Sequence, residues 1–170
     1  MGFRKPTPLT EKHIVEGFES GKPALDAWLR DMALYNQVQG YTRTFVIADE
    51  DGKVAGYHAV CAGMIHRNDV SRPVRGHPAP SELPVAVLAR LAVTREHQGR
   101  GLGPALLKNA LLSIVSASQV VAFRGVVVHA IDDDAVKFYK KFHFQETKGM
   151  ERRLILPCND IVASLAAVKR

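Results

Sequence analysis

The chain has few cysteines and no long apolar run. Its only two cysteines, Cys61 and Cys158, have neither the spacing of a zinc site nor the number of a disulfide framework. No apolar stretch approaches the roughly 20 residues that a membrane-spanning helix needs. The segment 1–6 has no apolar core of a secretion signal. These features predict a cytoplasmic protein that has no metal and no membrane association, folded as a single domain over residues 1–170.

Acidic residues are in deficit. The chain has 17 Asp and Glu against 23 Lys and Arg, a net charge of +6 and a pI of about 9.5. An excess of positive charge favours a polyanionic partner. The alternative is an ordinary solvated surface on which the charges are dispersed.

Along the chain, the spacing of the apolar residues is in some segments typical of a helix and in others typical of a strand. A helix is predicted over 24–39, with Leu25, Trp28, Leu29, Met32 and Tyr35 on its apolar face and Gly40 at its end. Residues 64–84 contain four prolines and three arginines and predict a basic, irregular loop. Further helices are predicted over 104–116, over 132–142 and after 159, and strands over 42–48, 54–62, 85–93, 125–130, 144–147 and 152–156. The order predicts a mixed α/β sheet.

A glycine-rich turn lies between the strand over 85–93 and the helix that follows it. Gly99, Gly101 and Gly103 lack Cβ atoms, so an anion can approach the main chain closely and positive φ angles are allowed. Pro104 suits the first position of the helix. A strand, a glycine turn and a helix together present backbone N–H groups to a phosphate. The spacing fits neither the dinucleotide fingerprint nor a P-loop.

Two segments resemble motifs of the GNAT acetyltransferases. Gln98, Gly101 and Gly103 match the pyrophosphate loop Gln/Arg-x-x-Gly-x-Gly/Ala. Downstream, Ala135-x-x-Phe138-Tyr139-x-x-x-His143-Phe144 resembles the family pattern A-x-x-F-Y-x-x-x-G-F. The resemblance implies a GNAT fold, which is a mixed, mostly antiparallel sheet of six or seven strands flanked by helices. It also implies acetyl-CoA as the cosubstrate.

The same resemblance assigns roles to individual residues. It implies that the pyrophosphate is held by the amides of Gln98, Gly99, Arg100, Gly101, Leu102 and Gly103. The pantetheine arm is expected along Leu91, Ala92 and Val93, where the N–H of Leu91 or Val93 polarises the acetyl carbonyl. Tyr139 is the expected general acid that protonates the CoA thiolate. The alternative for Tyr139 is aromatic packing, the role that we expect for its neighbours Phe138, Phe142 and Phe144.

No general base is evident. Glu82, Glu96, Asp132 and the histidines are candidates by residue type only. We expect His129 at the core or rim and His97 in solvent. An α-amine already has a pKa of about 7.7–8.0, so a strong base is not required. The chain departs from the family pattern at Asp132, where Asn is common, and at His143, where Gly is common.

The N-terminal half resembles one subgroup, the GNAT toxins of bacterial toxin–antitoxin pairs. The segments that carry this resemblance are Phe18-x-Ser20-Gly21-x(3)-Leu25-Asp26-x-Trp28-Leu29 and Gly40-x(2)-Arg43-Thr44-Phe45-Val46. The resemblance implies acetylation of the α-amine of aminoacyl-tRNA, which blocks translation. It also implies a ribbon–helix–helix antitoxin and a homodimer.

Binding to tRNA requires a basic face. The candidates for it are Arg67, Arg72, Arg75, Arg90, Arg95, Arg100, Lys137, Lys140, Lys141, Lys148, Arg152 and Arg153. Two other functions stay open. The first is N-acetylation of a small-molecule amine or a protein N-terminus, and the second is a CoA-binding module without catalysis.

Overall fold

Seven strands form one mixed sheet in the computed structural model, which describes residues 3–168. The strands are β1 (Thr7–Pro8), β2 (Arg43–Ala48), β3 (Val54–His66), β4 (Glu82–Val93), β5 (Gly125–His129), β6 (Gln145–Glu146) and β7 (Arg153–Pro157). Their order is β1-β2-β3-β4-β5-β7-β6. The β4–β5 pair is parallel, whereas the β1–β2, β2–β3, β5–β7 and β6–β7 pairs are antiparallel. The predicted mixed, mostly antiparallel sheet of six or seven strands is confirmed.

Helices flank the sheet, and the described residues form two compact units. The helices are α1 (Pro23–Asp31), α2 (Ala33–Gln39), α3 (Arg72–Arg75), α4 (Leu102–Ala117), α5 (Asp133–Lys141) and α6 (Ile161–Val168). Unit 1 contains residues 3–61 and 89–110, and unit 2 contains residues 62–88 and 111–168. The glycine turn therefore belongs to unit 1, and α5 belongs to unit 2.

The helix predicted over 24–39 is two helices. Met32, at φ −123°, separates α1 from α2, and Gly40 ends α2 in the left-handed conformation at φ 80°, as expected. The break changes the helical phase, so that Ala33 is fully buried whereas Met32 and Tyr35 are 43% and 57% exposed. The prediction that Met32 and Tyr35 belong to the buried face is therefore wrong.

The core of unit 1 forms around the aromatic side chains of α1 and β3. Tyr57 is fully buried, and its ring stacks on that of Trp28 with centroids 6.0 Å apart and planes at 13°. Its hydroxyl donates a hydrogen bond of 2.7 Å to the Leu25 carbonyl at the start of α1. Burial raises the pKa of Tyr57, so that this hydroxyl remains a donor. The apolar contacts and this bond together fix α1 on β3.

The basic segment of unit 2 is more regular than predicted. Strand β3 continues to His66, α3 covers 72–75 and β4 begins at Glu82, so the irregular part is confined to 67–81. Arginines tie this segment to itself. Arg67 Nη1 donates to the Ala79 carbonyl at 2.8 Å, and Arg75 Nη1 donates to the Val70 carbonyl at 2.9 Å. Two of the three arginines in the segment therefore satisfy its own backbone.

A partly buried ion pair anchors the same segment to the first residue of β7. Arg153 Nη2 lies 3.0 Å from Asp69 Oδ2, and the Arg153 side chain is only 11% exposed. Arg153 also donates to Thr147 Oγ1 at 2.7 Å and to the Lys148 carbonyl at 2.6 Å. Because its donors meet a carboxylate and two neutral oxygens, this guanidinium is compensated within the fold.

Helix α5 has a well-formed beginning and a strained end. Asp132 caps it, since Asp132 Oδ1 accepts from the Ala135 N–H at 2.9 Å. At the other end His143 has φ 74°, in the left-handed region where helices usually place glycine. The side chain of His143 is exposed, so no burial compensates for this strain.

Replacing His143 with glycine should stabilise the protein. Left-handed backbone costs a non-glycine residue about 1–2 kcal/mol, and glycine gives back part of this because its unfolded state is freer. We expect His143→Gly to raise the free energy of unfolding by about 0.5–1 kcal/mol in urea denaturation. The control Lys137→Gly, in the exposed interior of α5, should lower it by about 1 kcal/mol. A destabilised His143→Gly variant would contradict this account.

Candidate functional site

The glycine turn adopts alternating backbone conformations. Gly99 has φ 79° and Gly101 has φ 82°, whereas Arg100 between them is not in the positive region. A Cβ atom at Gly99 or Gly101 would meet nothing within 4 Å. The glycines are therefore required by φ and not by lack of space. Alternation of this kind turns successive N–H groups towards one concave side, which is how backbone binds anions.

The amide donors of this turn are unused. In the described part of the chain the N–H groups of residues 99–103 donate to no backbone or side-chain acceptor, and the first hydrogen bond of α4 runs from the Ala105 N–H to the Gly101 carbonyl at 3.1 Å. Helix α4 begins at Leu102, so Gly103 is helical and Pro104 occupies the third position, not the first as predicted. The positive end of the helix dipole and the free donors coincide.

The Gln98 side chain holds the turn in place. Its Nε2 donates to the Ser20 carbonyl at 2.8 Å and to the Val93 carbonyl at 2.9 Å. Ser20 is itself fixed, because its N–H and its hydroxyl donate to Asp26 Oδ1 at 3.0 and 2.6 Å. The Gln98 N–H is also engaged, donating to the Arg95 carbonyl at 3.3 Å. Gln98 thus ties the turn to β4 and to the segment before α1, and the free donors begin at Gly99.

Residues 91–93 continue β4 beyond its pairing with β5. The registered pairs of these strands run from Val85 to Leu88. Leu91 and Val93 pack on one face of the strand, against the cluster that contains Leu102 and Leu106 of α4. Ala92 points to the other face and joins the Trp28 cluster. The side chains therefore anchor both faces, while the main chain beyond residue 88 has no β5 partner.

Two supporting contacts between β3 and α4 carried no signal in the sequence. A Cβ at Gly56 would lie 2.9 Å from Leu106 Cδ1 and 3.3 Å from the Ala92 carbonyl, so only glycine lets these elements approach. The fully buried His58 Nε2 lies 2.8 Å from Asn109 Oδ1 on α4. Burial lowers the pKa of His58 to about 4, so the neutral ring donates this bond. Both contacts fix the helix whose N-terminus carries the free amides.

Tyr139 lies on α5 in unit 2, with 7% of its surface exposed. Its ring meets Phe138 and Phe144 edge-on at 5.1 and 5.3 Å. The aromatic packing that we considered as the alternative is therefore present. Burial raises the pKa of Tyr139, so its phenol keeps the proton throughout the neutral range. Within residues 3–168 the hydroxyl makes no hydrogen bond, which leaves a proton donor available.

Asp132 and His97, two of the other candidate acids and bases, have structural roles, and His129 lies at the end of a strand. Asp132 caps α5. The side chain of His97 is only 20% exposed and packs edge-on against Phe3 at 4.9 Å, so the expectation that it is solvated is wrong. His129 lies at the exposed end of β5, the rim position that we expected. Burial, and second the charge of Arg153, lower the pKa of His129.

Burial also raises the thiol pKa of both cysteines, Cys61 and Cys158, so neither is an activated thiolate.

Some of the basic residues form ion pairs with carboxylates, whereas others in the described range are exposed without such a partner. The pairs are Arg95–Glu19 at 3.3 Å, Lys140–Glu146 at 3.0 Å, Arg152–Asp133 at 3.0 Å and Arg153–Asp69. Arg72, Arg100, Lys137 and Lys141 are exposed and have no carboxylate partner within residues 3–168. The positive charge that is open to a ligand is thus smaller than the sequence suggested.

Two absences hold for residues 3–168. No group of three or more His, Cys, Asp or Glu side chains there is arranged to bind a metal ion. None of the helices in this range has the length and apolar character that crossing a bilayer requires.

Comparison with known proteins places this site in a family. Residues 41–146 match the model of the acetyltransferase (GNAT) domain, a stretch that includes both the glycine turn and Tyr139. The chain is 41% identical over 159 residues to a tRNA-acetylating toxin of Mycobacterium tuberculosis (strain ATCC 25618 / H37Rv), covering 94% of this chain and 95% of that protein.

Solved structures agree in fold. AtaT complexed with acetyl-methionyl-tRNAfMet superposes with a TM-score of 0.87 at 25% identity, covering 94% of this chain and 97% of that one. AtaTR bound with AcCoA gives a TM-score of 0.82 at 26% identity, with coverages of 94% and 96%. A tyrosine-to-phenylalanine mutant of AtaT bound to the C-terminus of the antitoxin AtaR gives 0.81 at 25% identity, also with coverages of 94% and 96%. The family model and the relative in M. tuberculosis together show that the chain belongs to the GNAT acetyltransferases.

Proposed function

We propose that this protein transfers the acetyl group of acetyl-CoA to the α-amino group of aminoacyl-tRNA and thereby blocks translation. The observation that carries the proposal is the row of free amides at residues 99–103. It occurs in a chain that is 41% identical, over nearly its whole length, to a tRNA-acetylating toxin. Acetyl-CoA supplies the activated acetyl group and a thiolate as leaving group.

The proposed cofactor site is the glycine turn with the end of β4. The amides of Gly99, Arg100, Gly101, Leu102 and Gly103 suit the two negative charges of a pyrophosphate, and the dipole of α4 adds to their field. Gln98 belongs to the site as the residue that positions the turn. Leu91, Ala92 and Val93 offer main-chain groups to the pantetheine amides, because this part of β4 has no β5 partner.

A main-chain donor on β4 polarises the acetyl carbonyl in this proposal. The N–H of Leu91 or Val93 lies on a strand that is packed on both faces, so the donor is held rigidly. A preorganised donor of this kind contributes about 3 kcal/mol to a transition state that gains negative charge on oxygen. The proposal needs no metal ion to stabilise that charge.

Tyr139 is the proposed general acid. Its buried phenol remains protonated at neutral pH and makes no hydrogen bond within residues 3–168, so the proton is available to a departing thiolate. One of the AtaT structures similar to this chain is that of a tyrosine-to-phenylalanine mutant, a change that removes only a hydroxyl. The amine needs little help from a base, since α-amines have pKa values of about 7.7–8.0.

Protein partners are the second part of the proposal. AtaT has been solved with the C-terminus of its antitoxin AtaR. In this chain, residues 32–42 contain no charged side chain, and Tyr35, Val38 and Tyr41 are 57%, 74% and 62% exposed. Such an uncharged apolar surface is typical of protein–protein contacts. We infer a homodimer, a ribbon–helix–helix antitoxin and action in the cytoplasm, and sedimentation equilibrium showing only monomer would exclude the dimer.

Incubation of the purified protein with acetyl-CoA and charged tRNA distinguishes the three candidate functions. Acetyl transfer to the tRNA-bound amino acid is the expected result. Transfer only to free amines would indicate an acetyltransferase of small molecules or protein N-termini. Acetyl-CoA binding without transfer to any amine would indicate a non-catalytic module.

Tyr139→Phe separates catalysis from packing. The ring and its contacts with Phe138 and Phe144 remain, and only the proton is removed. Because general acids contribute about 10²–10⁴-fold, we expect kcat to fall at least about 100-fold in stopped-time assays, with little change in KM for acetyl-CoA. The control Tyr41→Phe alters an exposed phenol and should keep kcat. A Tyr139→Phe variant with wild-type turnover would remove the proposed role.

Gln98→Ala tests whether the side-chain clamp shapes the cofactor site. Loss of two hydrogen bonds, each contributing about 0.5–1.5 kcal/mol, should loosen the turn and raise KM for acetyl-CoA about tenfold. Gln37 is a matched control, since its side chain also bridges two backbone segments, at Leu9 and Thr44, but lies outside the turn. Gln37→Ala should lower the melting temperature similarly and keep KM. An equal rise of KM in both variants would contradict the assignment.

A further inference from the structure

Arg90 is a partly buried cation with unused donors. Its guanidinium carbon lies 4.5 Å from the centroid of the Trp28 ring. Within residues 3–168 this side chain makes no hydrogen bond and no ion pair. Asp26, the buried carboxylate of α1, is instead occupied by the N–H and hydroxyl of Ser20. Because Arg90 is partly exposed and makes only this cation–π contact within the described residues, its five N–H donors are left to solvent or to a ligand.

The position of Arg90 follows from the alternation of β4. Arg90 and Ala92 point to the face that carries Trp28, whereas Leu91 and Val93 point to the face covered by α4. The Trp28 ring is itself held by the stack on Tyr57. Because the Arg90 guanidinium stacks on a fixed indole, its side chain is already restricted before a ligand arrives. The side chain therefore loses less conformational entropy when its N–H donors bind an oxyanion.

The chemistry of the site matches a phosphodiester. A guanidinium fork binds two phosphate oxygens at once, which a lysine cannot do. The pyrophosphate of acetyl-CoA is assigned to the amides beyond the end of β4, and α4 covers the face opposite to Arg90. On the opposite face the Arg90 side chain is partly exposed beside Trp28, so an acceptor that approaches from this side meets its guanidinium. On a charged tRNA, the phosphate nearest to the amino acid is that of the terminal linkage.

We propose that Arg90, held over Trp28, binds the 3′-terminal phosphodiester of the acceptor RNA and so selects amines carried on tRNA over free amines. This inference rests on the proposed function, since it assigns a specificity-determining residue to the same site. Arg90 is adjacent to Leu91, whose N–H is a proposed donor to the acetyl carbonyl. A phosphate bound here would place the attached aminoacyl ester beside the reacting atoms.

The test compares two RNA minihelices that end in the tRNA 3′ terminus. One carries a normal terminal phosphodiester, and the other carries a neutral methylphosphonate at that linkage. Binding is measured by fluorescence anisotropy for the wild type, Arg90→Gln and the control Arg30→Gln, which removes an exposed, ion-paired charge from α1. The comparison is a double-mutant cycle between one side chain and one phosphate, so general loss of charge cancels.

We expect the wild type and Arg30→Gln to bind the methylphosphonate RNA about tenfold more weakly, as for loss of a charged hydrogen bond. Arg90→Gln should bind the normal RNA about tenfold more weakly and should not distinguish the two RNAs. Arg90→Lys should recover only part of the discrimination. Equal binding of both RNAs by the wild type, or undiminished discrimination by Arg90→Gln, would overturn the inference.

Two further measurements distinguish a failure of the Arg90 contact from a failure of the proposed function. An unchanged KM of Arg90→Gln for acetyl-CoA shows that the variant is folded and that Arg90 does not serve the cofactor, whereas a raised KM would assign it to the cofactor and overturn the inference. The binding assay uses uncharged RNA and needs no acetyl transfer. If the wild type acetylated only free amines and yet showed the Arg90-dependent discrimination, the proposed function would fail and the phosphate contact would stand.

Discussion

The side-chain amide of Gln98 determines whether the rest of the site can exist. Five backbone N–H groups without a protein acceptor face one ligand together only where the loop is held in one conformation, because a loop that is free to rearrange would satisfy them internally or turn them in different directions. Gln98 prevents this by binding the Ser20 and Val93 carbonyls, which lie in two different segments of unit 1. The open donors of residues 99–103 are thus maintained by hydrogen bonds made one residue earlier.

The elements around the turn contribute to the same constraint from both faces of β4. Leu91 and Val93 fix the strand against α4, and Gly56 and the His58–Asn109 bond fix α4 on β3. On the other face, Ala92 packs with Trp28. The strand can therefore offer its main chain at a constant position. Because the strand is already ordered, little free energy is lost in ordering it when the ligand binds. Its hydrogen bonds can therefore contribute fully to stabilising the transition state.

Pairing of charges separates the structural cations from those open to a ligand. Arg153 is compensated within unit 2 by Asp69, and Arg67 and Arg75 bind carbonyls of their own segment. Lys137 and Lys141, in contrast, lie one helical turn apart on α5 and have no carboxylate partner within residues 3–168. Net charge alone does not make this distinction, since it counts a cation equally whether or not a carboxylate neutralises it.

The sequence by itself determined the mixed sheet and the strand–turn–helix that contains Gln98 and the three glycines. These features depend on local spacing and on glycine at positive φ. Only the tertiary structure decided that the helix over 24–39 breaks at Met32, that the basic segment is tied by its own arginines, and that Arg90 lies over Trp28. The position of Arg90 depends on a contact between residues far apart in the chain, and the ties of Arg67 and Arg75 depend on how their segment folds back on itself, so no local pattern contains these energies.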